Sequence, residues 1–148
     1  MTFRHTKLLH HPKFYLFDCG VAHTLQKSLT GELIPGSSPY GKAFEHWIIL
    51  ETKRLLDYRQ QECELAFFAT TDGAEVDLIL TQKEETWAIE IKSSSQPSLA
   101  NLRGLRSFIS DHPVKRAICV CQAEHPYQDA GIEFLPWKKF LLEVQHAQ

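Results

Sequence analysis

From Gly41 to Tyr58 the apolar residues recur at helical spacing, with Phe44, Ile48 and Leu55 on one stripe and Trp47, Ile49, Leu50 and Leu56 beside it. That pattern predicts a long, well-buried helix. The period then switches to two. Leu65 to Thr70, Glu75 to Thr81 and Thr86 to Lys92 read as three consecutive strands, with turn signals at Thr71-Asp72-Gly73 and at Gln82 to Glu85. After the polar run Ser93-Ser94-Ser95-Gln96-Pro97, the residues Leu99, Leu102, Leu105 and Ile109 line one side of a second helix, which Asp111-His112-Pro113 ends. Ala117 to Cys121 is a continuous apolar run, the mark of a strand covered on both faces. Phe134-Leu135 reads as a last strand, and Pro136 then starts a closing helix through Trp137, Phe140, Leu141 and Val144. Upstream, Phe14 to Phe17 predicts a short aromatic strand and residues 21–29 a short helix, followed by a loop from Pro35 to Pro39.

From residue 41 the predicted order is α-β-β-β-α-β. Three meandering strands followed by a helical crossover imply a mixed β-sheet flanked by helices, with the fourth strand parallel to the third. The fold class is therefore α/β. The chain divides into a leader and lead-in segment over 1–40, expected to be the remnant of a larger protein, and a core over 41–148 that includes the closing helix.

The central hairpin yields a register by counting. If Thr81 faces Thr86, then Leu80 faces Trp87, Leu78 faces Ile89 and Val76 faces Ile91, so that face is wholly apolar. On the other face Ile79 meets Ala88, Asp77 meets Glu90 and Glu75 meets Lys92. Directly opposed carboxylates destabilise a sheet unless a cation sits between them or one is protonated. Two carboxylates plus water suit a hard divalent ion such as Mg²⁺. Lys92, one side-chain repeat beyond Glu90, stands where an ammonium would orient a nucleophilic water or stabilise charge on a phosphate. The plainer alternative is a solvated sheet face on which Lys92 pairs with Glu75.

Composition and charge narrow the picture. The 148 residues carry 16 Lys and Arg against 18 Asp and Glu, a net charge of −2. This excludes a chain-wide basic footprint for nucleic acid but leaves room for a few placed cations. No stretch approaches the roughly 18 apolar residues of a membrane span. Met1 to His11 is polar and His-rich, unlike a secretory signal. Cys119 and Cys121 alternate along an apolar run and lack zinc-site spacing, so with Cys19 and Cys63 they read as small hydrophobes in a reducing cytosol. A cytoplasmic location without membrane contact is expected.

Gly41-x-x-Phe44-Glu45 on a long helix, then Glu75-Val76-Asp77-Leu78-Ile79-Leu80, then Ala88-Ile89-Glu90-Ile91-Lys92-Ser93-Ser94 resemble the PD-(D/E)XK nuclease-like superfamily. More narrowly, they resemble the uncharacterised C-terminal domain that follows the ATPase module in many bacterial and archaeal AAA-type ATPases. Pro12-Lys13-Phe14-Tyr15-Leu16-Phe17-Asp18-Cys19-Gly20 is similar to the stretch that opens that domain. The resemblance implies a restriction-endonuclease-like core in which Asp77 and Glu90 ligate Mg²⁺ or Mn²⁺, Lys92 positions the attacking water, and Glu45 completes or orients the metal shell. It implies DNA as substrate, with an AAA-type ATPase module or further copies of the chain as partners. The same resemblance extends to members that only bind or hold structure, so a non-catalytic module that docks or regulates an ATPase is the alternative.

Three weaker signals complete the reading. Gly36 to Ala43 nearly matches a phosphate-binding G-x-x-x-x-G-K-[ST] loop, but Ala43 has no hydroxyl and Pro39 removes one cradle N–H. Gly41 is better read as the helix-start glycine of the nuclease-like motif, and Glu45 as an acid in that helix's first turn. Arg103, Arg106 and Lys115-Arg116 are placed to contact phosphates, although a solvated face is the simpler reading.

Overall fold

The structure is a computed structural model and describes residues 32–60 and 62–147. The strand expected at Phe14–Phe17, the helix expected over 21–29 and Cys19 lie outside the described residues. Helix α1 spans Ser38–Tyr58, three residues longer at its start than the periodicity implied. Ser37 explains the difference: its hydroxyl accepts from the Tyr40 N–H at 3.3 Å and caps the helix. Pro39 sits in the first turn, where its missing N–H has no helical partner to lose. The near-match to a phosphate loop is therefore helix from Ser38 onward, Gly41 lies inside α1, and Glu45 stands beyond its first turn.

Strands β1 (Cys63–Ala69), β2 (Glu75–Gln82) and β3 (Glu85–Ile91) form an antiparallel meander. A 3-10 turn (Leu99–Leu102) and α2 (Arg103–Asp111) then cross over to β4 (Arg116–Cys121), which is parallel to β3 as expected. After β4 come β5 (Tyr127–Asp129), β6 (Ile132–Pro136) and α3 (Trp137–His146). The result is a six-stranded mixed sheet in the order β1-β2-β3-β4-β6-β5, with three α-helices. β5 was not foreseen. It is three exposed residues long, so no apolar period announces it, and it is held by the turn at Ala130-Gly131 and by the Tyr127 ring stacked on Phe134 at 4.5 Å.

The sheet separates two apolar layers. On one face Leu78, Ile89, Ile118 and Leu135 pack with Ile48 of α1 and Phe140 of α3. On the other, Ile79, Ala88, Cys119 and Phe134 pack with Leu105 and Phe108 of α2. Trp47 and Trp137 meet edge to face at 4.9 Å beside the first layer, which makes them packing residues rather than exposed stacking platforms. Among the described residues no helix is long and apolar enough to cross a membrane.

The counted hairpin register holds from Thr81↔Thr86 to Leu78↔Ile89, closed by a turn at Lys83-Glu84 that is tighter than the four-residue loop expected. It fails at the other end of β2. Between the pairs Ala66↔Ile79 and Phe68↔Val76, one residue of β1 faces two of β2, Asp77 and Leu78. This bulge reverses the side-chain alternation. Val76 joins the α2 layer with Ile79, while Leu78 and Ile91 stay in the α1 layer; the register ends at Leu78↔Ile89, so the expected pairs Val76–Ile91, Asp77–Glu90 and Glu75–Lys92 do not form.

Helix α2 is seated against this end of β2. A Cβ built on Gly104 would lie 2.0 Å from the Glu75 carbonyl oxygen, so only glycine allows the approach. Gly104→Ala is expected to destabilise the fold by about 1–3 kcal/mol through overpacking, despite alanine's better helix propensity, and a urea unfolding midpoint measures it.

At the opposite end of the sheet Arg116 lies over the Trp87 ring at 4.6 Å and donates to both Glu133 oxygens and to Glu143. The Arg116 guanidinium holds the Glu133 carboxyl below its ordinary value against the opposing effect of burial. A depressed carboxylate contributes stability that is complete above its unfolded value, 4.5, and is lost as pH falls through the lower folded value. Glu133→Gln is expected to cost about 1–2 kcal/mol near neutral pH and to abolish this part of the acid sensitivity. Urea midpoints at about pH 7 and about pH 3 separate the two effects.

Candidate functional site

The bulge places Asp77 at the seam where β2 and β3 part. Its Oδ2 accepts the Ile91 N–H at 2.8 Å, a donor that a β2 carbonyl would take in a regular antiparallel ladder. Asp77 is 6% exposed, and so is Glu90 on the neighbouring strand, whose Oε2 is shielded from solvent. Two nearly buried acids from adjacent strands interrupt otherwise apolar sequence at one end of the sheet. Ionised groups are rarely buried without a positive partner.

Lys92 supplies one. Its Nζ lies 2.7 Å from Glu90 Oε1. Burial by itself would lower the Lys92 ammonium, but the Glu90 carboxylate, its hydrogen bond and the more distant Asp77 outweigh that and raise it above its ordinary value. Lys92 is thus a cation at neutral pH. Its backbone is fixed as well: its N–H donates to Val120 O at 2.9 Å, and the Gln122 N–H donates to Ser94 O at 3.0 Å, so β3 and β4 stay tied beyond the end of β3. The Gln122 side chain donates to the Tyr40 hydroxyl at 2.9 Å and brings the first turn of α1 to these strand ends, where Gly41 lies against Ser93.

Of the four residues expected from the sequence, Glu90 and Lys92 are in contact, and Asp77 lies close enough for its charge to raise the Lys92 ammonium. Glu45 is half-buried on α1, and no group of three His, Cys, Asp or Glu able to hold a metal ion forms among the described residues. The two carboxylates remain a chemically suitable donor set, since Mg²⁺ commonly takes one or two carboxylates and keeps water for its other positions. On the α1 side an open groove of about 450 Å³ between α1 and β1, lined in part by Leu50, Lys53 and Phe67, reaches Asp77, while Glu90 and Lys92 are not part of its lining.

Two neighbours of the site were not linked to it from sequence, although Cys119 reads there as a small hydrophobe and is buried. Cys119 is directly paired with Glu90 across β3 and β4. Burial, then the Cys121 thiol and the Glu90 carboxylate, push its thiol up and outweigh Lys92, so it is an inert apolar wall of the site. Gly104 is the other, and a glycine inside an amphipathic helix was the signal that could have found it.

The sequence profile of the family described as "Domain of unknown function (DUF4143)" matches residues 40–140. The chain belongs to that family. It is 27% identical over 116 residues to each of two uncharacterized proteins, Mb2031c of Mycobacterium bovis and Rv2008c of Mycobacterium tuberculosis, a stretch covering 78% of this chain and 25% of either relative. The chain therefore spans about a quarter of the length of the curated relatives it matches.

Because Asp77 accepts a buried N–H, its two simplest substitutions should behave differently. Asp77→Ala leaves the Ile91 N–H without that acceptor and is expected to destabilise by about 1–3 kcal/mol, whereas Asp77→Asn keeps an oxygen there and is expected to unfold near the wild-type midpoint. Equilibrium denaturation of the two variants checks this.

Proposed function

We propose that this DUF4143-family chain is a PD-(D/E)XK nuclease-like domain that hydrolyses phosphodiester bonds in DNA with Mg²⁺ or Mn²⁺. The observation that carries the reading is the seam itself: Asp77 and Glu90, both nearly buried on adjacent strands, with a charged Lys92 in contact with one of them. Support also comes from the order α-β-β-β-α-β, with the fourth strand parallel to the third and the acids on the second and third. These are the features expected of a restriction-endonuclease-like core.

In this reading Asp77 and Glu90 hold the ion. When bound, the ion supplies Lewis acidity to the scissile phosphate and lowers the pKa of water. Lys92 orients the attacking water and offsets the charge that develops on the phosphate. Glu45 is assigned to orienting the shell from α1 rather than to direct ligation, in keeping with the absence of a three-residue ligand group among the described residues. The wider context, in which this domain is attached or related to an AAA-type ATPase, rests on the family resemblance, while a cytoplasmic location rests on the reading of the cysteines as reduced.

A second reading has its own observation. Glu90 is already engaged by Lys92 at 2.7 Å, and a nuclease-like scaffold with that ion pair closed would serve as a docking or regulatory module without chemistry. Metal titration separates the two. A competent site is expected to raise the melting temperature by several degrees in Mn²⁺ at about tenfold over its dissociation constant, since such binding stabilises by about 1.4 kcal/mol. Glu90→Gln should remove that response, and Asp77→Asn or Lys92→Ala should abolish metal-dependent cleavage of plasmid DNA. A wild-type protein whose melting is indifferent to Mn²⁺ and Mg²⁺ favours the module.

A further inference from the structure

The described cations fall into two classes. Most are consumed internally: Lys53 pairs with Asp57, Arg54 with Glu51, Lys92 with Glu90, Lys115 with Glu85, Lys139 with Glu143, and Arg116 with Glu133 and Glu143. Arg59 donates to the Val144 and Ala147 carbonyls at the end of α3, and Lys138 lies over the Trp137 ring. Lys42, Lys83, Arg103 and Arg106 remain, all exposed and without an ion-pair partner among the described residues.

Three of these four belong to the end of the sheet that carries Asp77, Glu90 and Lys92. Lys42 follows Gly41, the residue of α1 that lies against Ser93, next after Lys92. Arg103 adjoins Gly104, which is seated on the backbone of Glu75, two residues before Asp77. Arg106 lies three residues further along α2, near Arg103 on the helix surface. Lys83 is the exception and sits in the hairpin turn at the far end of β2 and β3. Of the other exposed cations, Lys53, Arg54, Lys115 and Lys139 each have an acid beside them, and Lys138 has the Trp137 ring. Three cations without an acid among the described residues at one end of the sheet, one on α1 and two on α2, suit an extended polyanion, which engages spaced cations through successive phosphates.

We propose that Lys42, Arg103 and Arg106 form a contact surface for the phosphate backbone of DNA passing the Asp77–Glu90–Lys92 site. The inference rests on the DNA part of the function proposed above and goes beyond it by assigning the residues that hold the strand. It also replaces the solvated-face reading of Arg103 and Arg106, while Lys115 and Arg116, spent on their own acids, are left out of the surface. Base edges play no part, so binding is expected to be indifferent to sequence and steeply dependent on salt.

The test is fluorescence anisotropy of a labelled duplex of random sequence, titrated with the full chain in EDTA so that neither metal nor cleavage enters. Lys42→Ala, Arg103→Ala and Arg106→Ala should each weaken binding about five- to tenfold at roughly 0.1 M salt and reduce the slope of log K against log salt by about 0.9. Lys83→Ala should match wild type. The surface is overturned if the wild type binds duplex but the three variants lose no more affinity than Lys83→Ala. If the wild type itself does not bind, both the surface and DNA as substrate are overturned, while the Mn²⁺ response of the melting temperature still reports independently on the metal site.

Discussion

A carboxylate that takes a backbone N–H out of a β-ladder shapes everything at the functional end of this protein. Asp77 Oδ2 accepts from Ile91 N at 2.8 Å, so β2 and β3 stay joined there by a side chain rather than by main chain alone. That bond keeps an acid in a nearly dry position, and it lies one step beyond the last regular pair, Leu78↔Ile89. Glu90 and Lys92 project from the strand that the bond secures. An apolar residue at 77 would leave the Ile91 amide without this acceptor. The same side chain thus takes part in sheet closure and, in the proposed function, in ion binding, two roles that the choice between Asn and Ala at this position can separate.

The scaffold prepares this end from both faces. On the α2 side, Gly104 lets the helix backbone rest on Glu75, immediately before the bulge. On the α1 side, the Tyr40–Gln122 hydrogen bond ties the first helical turn to the exits of β3 and β4, and the groove between α1 and β1 opens toward Asp77. The opposite end of the sheet is closed differently, by the Arg116, Glu133 and Glu143 network over Trp87. One end of the sheet has its charges matched to one another. The other holds two nearly buried acids, an ammonium paired with one of them, and exposed cations that have no ion-pair partner among the described residues.

Most of the architecture was legible because burial on two layers imposes strong periodicity. The long helix, three meandering strands, crossover helix and fourth strand all carry apolar patterns that fit one element type and no other. What escaped the sequence lacked such a pattern. β5 is three exposed residues on a sheet edge, and α1 begins early because of a cap at Ser37 rather than an apolar residue. The bulge at Asp77-Leu78 was invisible because alternation along Glu75 to Leu80 is equally consistent with a regular strand, and only the β1 pairing reveals the extra residue. For the same reason Asp77, Glu90 and Lys92 could be named from sequence, whereas the partner Asp77 takes and the position of Glu45 relative to the pair could not. Spacing along a strand encodes which residues share a neighbourhood, and tertiary contacts decide which atoms meet.

The central claim is that the two acids of the β2–β3 seam form an ion site rather than a closed salt-bridged joint. Crystals of the protein soaked in Mn²⁺, measured at a wavelength where manganese scatters anomalously, address it directly. The expected result is a single strong anomalous peak within coordination distance of both the Asp77 and Glu90 carboxylates, with the Lys92 ammonium turned away from Glu90 Oε1. Density without such a peak, in which Lys92 keeps its contact with Glu90 at millimolar Mn²⁺, would contradict the claim and leave a nuclease-like scaffold without a metal centre.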